Sequence, residues 1–336
     1  MSRRPTVSVV LSCYNSRHVF AQLRSLREQT EPADELIVVD DSTDGSLFDL
    51  IKEELRFHTG RVVVEKNETN LGMHASYTFG LGLVTCDVVA TCDHDDVWMP
   101  EKLQAIRDAM LDASVVGLAS DAAIFRVDAE CKFPVRNNYE SLLGRTGVSK
   151  RLRSRAGDIG LEQLLRGNIF SGATLAFRRS ILSDALPLPS DFLPDYWLVL
   201  CAAASGRFVL IPRPLIWYRL HDQNTVGVDE EKVGLTRLSR PYPEYDITTI
   251  NRMKRSWPRS IALVEDWCWF MNWRRVLRTG RLFDLRIFAR HPAKTLRSAR
   301  YFYINIGGVA ADLCRLAVLL TRRQPMRIST SGPSQK

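Results

Sequence analysis

The sequence predicts an α/β fold, a Rossmann-like sheet with flanking helices, followed by a basic helical extension. Two observations carry this. Apolar, β-rich runs alternate with amphipathic runs over the first 130 residues, the signature of βαβ units and a largely parallel sheet covered on both faces. The charge balance also changes along the chain. Net charge is +8, from 46 Lys+Arg against 38 Asp+Glu, yet residues 251–336 hold 18 basic and 4 acidic groups, so the first 250 are net −6. An acidic front and a basic tail suggest two regions with two tasks.

Taken in order, residues 6–12 (TVSVVLS) read as a first strand and 19–29 as a helix. A second strand spans 35–39, a helix 46–55, a third strand 61–65 and a helix 72–84. Residues 87–92 (DVVATC) give a fourth strand, 100–111 a helix with Pro100 at its first position, and 115–119 a fifth strand. The polar, basic stretch 130–157 reads as a mobile surface loop. Beyond it, 158–166 reads as a helix, 169–177 as a strand, 195–205 as a helix and 208–211 as a short strand. From about Asp246 the chain turns helical, aromatic and basic.

Seven cysteines without a C-x-x-C pair imply reduced core thiols and a cytosolic setting. The N-terminus lacks the pattern of a secretory signal. No stretch approaches the roughly 18 apolar residues of a spanning helix; the nearest, 301–320, is interrupted by Asp312 and Arg315.

In such sheets ligands bind beyond the carboxyl ends of the strands, where Tyr14, Asp41 and Asp93 all fall. Asp93-His94-Asp95-Asp96 places three carboxylates within four residues. They repel one another unless a cation or hydrogen bonds offset the repulsion, and Mg²⁺ or Mn²⁺ is commonly held by one or two carboxylates with substrate phosphates. The alternatives are helix capping or a solvated turn, and Pro100 places the helix too late for capping. Asp41, with Asp40 behind it, can accept hydrogen bonds from a base or ribose; capping falls more naturally to Ser42, Thr43 or Asp44. Tyr14 can stack on a base, and Asn15 can cap the first helix. The turn 12–15 lacks both glycine-rich phosphate signatures, dinucleotide and P-loop.

VSVVLSCYN, LRSLREQT, ELIVVDDSTDGS, NETNLG and CDHDDVWMPEKL, in that order over about 110 residues, resemble family 2 glycosyltransferases. The resemblance implies the GT-A nucleotide-sugar-binding fold. Ser12, Tyr14 and Asp41 then match nucleoside-contacting positions. Asp93 and Asp95 match the D-x-D that meets ribose, metal and diphosphate, and Gly72 matches a loop running close to the donor. This chain reads VDDSTDG where the commoner spelling has an extra glycine, which alters one turn. NIFSGATLAF is similar to the acceptor-side strand, with Gly172 at its small-residue position. PDYWLVLCAAASGRFVLIPRPLIWYRLHDQNTVG resembles the segment bearing the catalytic base and a later histidine, in spellings closest to bacterial surface-polysaccharide enzymes such as rhamnosyltransferases.

The resemblance thus implies a metal-dependent, inverting glycosyltransferase of hexosyl type. Asp195 is its general base, also placed to cap its helix, and His221 meets metal or diphosphate with Asp93 and Asp95. Arg219 can pair with diphosphate oxygens; Trp98, Trp197 and Trp217 are read as packing residues. The donor would be a nucleotide diphosphate sugar, the acceptor a glycan or lipid-linked sugar, and the cofactor Mn²⁺ or Mg²⁺. The expected domains are 1–245 for the GT-A unit (1–125 nucleotide-binding, 158–225 acceptor and catalytic) and 246–336 for the basic aromatic extension. That extension suits an anionic membrane surface, with packing or an oligomer contact as the rival and nucleic acid set aside. The expected location is cytoplasmic, peripheral at the inner face of the plasma membrane. A nucleotidyltransferase would need a glycine-rich basic loop where Ser12–Asn15 stands, and a non-catalytic scaffold would have no use for Asp93, Asp95 and Asp195.

Overall fold

The computed structural model describes residues 3–16, 18–43, 47–126, 139–146, 148, 150, 157–221, 246–279, 290–295 and 298. The chain divides into two compact units, Met1–Ser260 and Ile261–Lys336.

In the first unit the predicted alternation is realised. Strands β1 (Val7–Cys13), β2 (Glu35–Asp40), β3 (Arg61–Lys66) and β4 (Val88–Asp93) alternate with helices α1 (Val19–Arg27), α2 (Phe48–Leu55) and α3 (Gly72–Gly82). The short β5 (Val97–Trp98), α4 (Lys102–Ala109) and β6 (Val115–Arg126) follow. Further strands are β7 (Glu140–Ser141), β8 (Gly157–Asp158), β9 (Leu175–Arg178) and β10 (Arg207–Leu220). They form one sheet in the order β3-β2-β1-β4-β9-β6-β10-β5, with β7 on β6 and β8 on β10.

The first four strands pair in parallel, as apolar runs linked by helical crossovers must. The sheet as a whole is mixed, because β9 runs antiparallel between β4 and β6. Val7, Val9, Leu11 and Cys13 on β1 join Val19, Leu23 and Leu26 of α1 in the main core cluster. On β1 and β2, Val10 and Val39 lie where a Cβ on Gly80 of α3 would meet them at 2.9 and 3.2 Å. The missing side chain at Gly80 lets that helix approach the sheet closely.

Several local expectations are corrected. Pro100 is not the first helical residue: α4 starts at Lys102 with Glu101 at its cap, because the Met99 amide is tied to Leu215 O at 2.9 Å before the chain turns. Asn15 is not a cap either. It adopts φ 46° and its amide donates to Ser42 Oγ at 2.8 Å, while His18 stands at the cap of α1. Ser42 does not cap α2, whose cap position is Leu47.

Part of the expected loop 130–157 is built. Ser141 caps the short helix Leu142–Arg145, which buries Leu142 and Leu143; residues 130–138, 147, 149 and 151–156 of that loop lie outside the described residues. In place of a helix over 158–166 stand β8, tied by Arg207 to Asp158, and a four-residue helix, Leu161–Leu164. In place of a strand over 169–177 stand a 3-10 turn, Gly172–Thr174, and β9. The predicted four-residue strand at 208 extends to Leu220 as β10. Pro212 and Pro214, which lack the amide a ladder needs, are absorbed in register shifts between Ile211, Pro214 and Trp217.

The helix Ile247–Ser256 lies in the first unit, where Trp257 is buried with its ring centroid 5.7 Å from that of Trp197. Trp197 and Trp98 are likewise buried, as packing residues are. The second unit is described for the helix Ile261–Thr279 and residues 290–295 and 298. There Lys294 lies 5.0 Å over the Trp269 ring. Phe283, Phe288, Tyr301, Phe302 and Tyr303 lie outside the described residues. Among those described, no helix is long and apolar enough to cross a membrane.

Candidate active site

The carboxyl ends of β1, β2 and β4 converge on one edge of the sheet. Ser12 is the register partner of both Val39 and Asp93, and its carbonyl lies 3.3 Å from His94 Nδ1. Tyr14, just past the end of β1, is 47% exposed.

Asp41 is buried and committed within the chain. One oxygen accepts from Asn67 Nδ2 at 2.7 Å and the Leu71 amide at 2.8 Å; the other accepts from the Gly72 amide at 2.8 Å. Gly72 has φ +80°, a region open to glycine and strained for other residues. The carboxylate therefore braces the NLG loop. Behind it, Asp40 Oδ1 accepts from the Ser42 amide, and Oδ2 is buried with no partner among the described residues.

β4 ends at Asp93, and the next turn carries Asp95 and Asp96. Oxygen atoms of the three carboxylates all lie within 4.8 Å of one another. Tyr77 OH, on α3, lies 3.0 Å from Asp93 Oδ1 and 3.0 Å from Cys92 O. Burial, then the neighbouring Asp95, push the Asp93 carboxyl up to about 7, against the Tyr77 hydrogen bond. Burial and then Asp95 and Asp93 push Asp96 well above the carboxylate range. Asp96 Oδ1 accepts from the Arg219 amide at 2.9 Å, and its Oδ2 is buried with no hydrogen-bond partner among the described residues.

β10 closes the cluster from the other side. His221 Nε2 lies 2.8 Å from Asp95 Oδ2. Arg219, expected at diphosphate oxygens, lies beside the acidic turn. Its Nε donates to the Asp95 carbonyl at 2.6 Å, and its guanidinium carbon sits 4.7 Å from the Phe125 ring centroid. It is 6% exposed, so it shapes the acidic turn from behind.

Asp195 lies in the first turn of the helix Pro194–Ser205, whose cap position is Leu193. Its Oδ1 accepts from the Tyr196 amide at 2.7 Å and its Oδ2 from Asn168 Nδ2 at 3.2 Å. Burial raises the proton affinity of this carboxyl, and the amides of Tyr196 and Gly172 with Asn168 pull it back.

Gly172 joins the two centres. A methyl built there would stand 3.5 Å from Asp195 Cβ and 3.8 Å from Asp93 Oδ1. The bare backbone of Gly172 thus stands between the acidic cluster and Asp195.

Three residues of this arrangement have no role read from the sequence: Tyr77, outside any motif, and Asn168 and Lys102, which stand within NIFSGATLAF and CDHDDVWMPEKL. Lys102, in the first turn of α4, is 1% exposed. Its ammonium donates to the Ala173 carbonyl and lies 3.9 Å from the Trp98 ring centroid. Burial pushes its proton affinity down, while Cys92, Asp96 and Asp93 pull it up. The helical pattern of α4 hides it, since a lysine there reads as a solvated position.

Comparison with known proteins shows the family of this chain. An uncharacterized glycosyltransferase of Nostoc sp. is 26% identical over 225 residues, 65% of this chain and 66% of that protein. The Escherichia coli protein WfgD, described as a UDP-Glc:alpha-D-GlcNAc-diphosphoundecaprenol beta-1,3-glucosyltransferase, is 28% identical over 147 residues, 42% of this chain and 56% of that one. The chain therefore spans less than two thirds of either relative. Among solved structures, S. aureus TarS 1-349 superposes with a TM-score of 0.53 at 18% identity, covering 94% of this chain and 83% of that one, which shows the shared GT-A fold. The profile described as Glycosyl transferase family 2 matches residues 8–184. That is more than half of the 336 residues, and the chain belongs to glycosyl transferase family 2.

Proposed function

We propose that the protein is a metal-assisted, inverting transferase that moves a hexose from a nucleotide diphosphate donor to a glycan or lipid-linked acceptor during cell-surface polysaccharide assembly. The observation that carries this is the placement of Asp93 and Asp195 on either side of the bare Gly172 backbone.

The donor nucleoside lies over the ends of β1 and β2, with Tyr14 stacked on the base and Ser12 beside the ribose. Asp41 contributes by holding the Leu71–Gly72 backbone against the donor. Asp93, Asp95 and Asp96 fit a divalent cation: their oxygens converge, and the orphaned Asp96 Oδ2 has no other partner. Asp93 and Asp95 would hold Mn²⁺ or Mg²⁺, with His221 behind Asp95 as orienting partner or further ligand. The ion supplies stabilisation of the charge that develops on the departing diphosphate.

The acceptor hydroxyl lies against Asp195. The carboxylate takes its proton as the oxygen bonds to the anomeric carbon, on the face opposite the breaking bond to diphosphate. The raised proton affinity of Asp195 suits it to that task. The name of the E. coli relative, a UDP-sugar enzyme acting on a lipid diphosphate acceptor, supports the same donor and acceptor classes.

A thermal-shift panel of uridine, guanosine and thymidine diphosphates and their sugars tests the donor class. One nucleotide should raise the midpoint by about 2 °C or more, only with Mn²⁺ present. No response from any nucleotide with Mn²⁺ rejects the proposal.

The basic extension, the region of 246–336, supports docking at an anionic membrane surface on the cytoplasmic side through its charges. Trp257 and Trp267 are buried, so attraction comes mainly from Lys and Arg. The full chain should sediment with phosphatidylglycerol vesicles at low salt and be released at roughly 0.5 M salt. Equal binding to neutral phosphatidylcholine vesicles would remove the electrostatic account.

A further inference from the structure

His74 stands in the first turn of α3, half-buried, and its Nε2 lies 2.6 Å from the carbonyl of Phe192, 118 residues away. A carbonyl only accepts, so Nε2 carries the hydrogen and donates it. One turn further along the same face of α3, Tyr77 OH lies 3.0 Å from Asp93 Oδ1. Both ends of the His74 contact are held. Asp41 fixes the start of α3 by accepting the Leu71 and Gly72 amides at 2.8 Å. Phe192 is 3% exposed, with its ring centroid 5.8 Å from that of Tyr196 and 5.3 Å from that of Trp197. Its neighbour Asp191 accepts from the Asp246 amide at 2.8 Å and from Thr249 Oγ1 at 3.0 Å. The Leu193 carbonyl then accepts the Trp197 amide at 2.9 Å, which starts the helix carrying Asp195.

We propose that His74 is a positioning residue of the transfer site: with Tyr77 it makes one face of α3 a brace that sets the spacing between Asp93 and Asp195. The two acids sit on separate elements, β4 and the helix Pro194–Ser205. From α3, one hydrogen bond reaches Asp93 itself and the other reaches the segment leading into Asp195. Transfer needs the departing diphosphate on the Asp93 side and the acceptor oxygen on the Asp195 side at one separation. An error of about 1 Å there lowers the rate by up to roughly a hundredfold. The same helix start carries the Leu71–Gly72 backbone, so the brace refers both acids to the donor loop. This inference rests on the assignment of Asp195 as the base.

Hydrogen exchange and kinetics on full-length His74→Ala and His74→Gln test it. The glutamine amide nitrogen stands as many bonds from the backbone as Nε2 and can donate to the same carbonyl. In the unliganded His74→Ala protein the Tyr196 and Trp197 amides should exchange about five to ten times faster, with β1 unchanged, and His74→Gln should restore their protection. Kinetics use the nucleotide sugar selected by the thermal-shift panel, with water in place of the acceptor. The water oxygen bonds to the anomeric carbon, its proton passes to Asp195, and the nucleotide diphosphate released is measured. His74→Ala should lower kcat roughly thirtyfold with KM within about twofold, and His74→Gln should recover most of the loss. Unchanged exchange in His74→Ala, or a loss that glutamine does not rescue, would make His74 a space-filling residue and overturn the proposal. A raised KM with kcat intact would place His74 on the donor and overturn it as well. If His74→Ala does not fold, His74→Phe keeps a ring without the donor and takes its place; failure of both to fold overturns the proposal. A wild-type protein that releases nucleotide diphosphate from no nucleotide sugar would instead defeat the transfer reading, and the exchange comparison would still decide whether His74 holds the Phe192 segment.

Discussion

Replacing Asp195 by Asn is expected to lower turnover of sugar transfer by roughly a thousandfold while leaving nucleotide diphosphate affinity within about twofold. The amide has the shape of the carboxylate and can still accept from the Tyr196 amide, which lies 2.7 Å from Asp195 Oδ1, so the helix start is preserved. What it loses is the capacity to take a proton. Donor binding should not suffer, because the charge on Asp195 is among the causes that raise the Asp93 carboxyl. Removing that charge makes Asp93 easier to ionise and favours the cation. Calorimetry with Mn²⁺ and the nucleotide diphosphate, beside single-turnover transfer, separates the two effects. Normal turnover in the variant would remove Asp195 as the base. Weakened donor binding with unchanged chemistry would move it to the donor side.

Asp95→Ala should abolish the metal-dependent part of nucleotide diphosphate binding, a loss of roughly a hundredfold or more in affinity with Mn²⁺ and little change without it. The substitution deletes one of three converging carboxylates and strips His221 Nε2 of its partner at 2.8 Å. An unchanged affinity with Mn²⁺ would show that the cation is held elsewhere or not at all. The same site should respond to pH in the wild-type protein. The Asp93 carboxyl is raised in the fold, to about 7, so its protonated form is the one folding favours. Its contribution to stability is therefore complete below the ordinary carboxylate range, near pH 4, and is lost as pH rises through about 7. Mn²⁺ competes for the ionised form, so its affinity should climb over the same window and level off above it. A flat Mn²⁺ affinity between pH 5 and 8 would contradict this coupling, with pH values chosen to bracket the ordinary and shifted ranges.

Much of this was written in short stretches of chain. The strand–helix alternation of the first 130 residues follows from local hydrophobic periodicity. So does the placement of Ser12, Tyr14, Asp41 and Asp93 at the ends of parallel strands, because such strands share one carboxyl edge. The acidic turn was legible for the same reason: Asp93, Asp95 and Asp96 are neighbours in sequence as in space.

Other parts depend on residues far apart in the chain. β9 enters the sheet antiparallel between β4 and β6, which no local pattern announces, since pairing is settled by the partner's hydrogen bonds. β10 continues past two prolines because β6 runs beside it for its whole length. Asp41 has the sequence of a ligand-facing acid, but the loop folding back over it supplies three donors. The bond from Arg219 Nε to the Asp95 carbonyl joins β10 to the acidic turn, a contact no local pattern announces. The sequence by itself thus determined the family, the sheet edge and the acids on it, all governed by contacts between near neighbours or by the period of a strand or helix. Only the tertiary structure decided that Gly172 stands between Asp93 and Asp195, that Asn168 hydrogen-bonds Asp195, and that Lys102 lies buried with its ammonium on the Ala173 carbonyl. Those contacts join residues from 16 to 81 apart, and a side chain's hydrogen bond is fixed by what the fold brings to it.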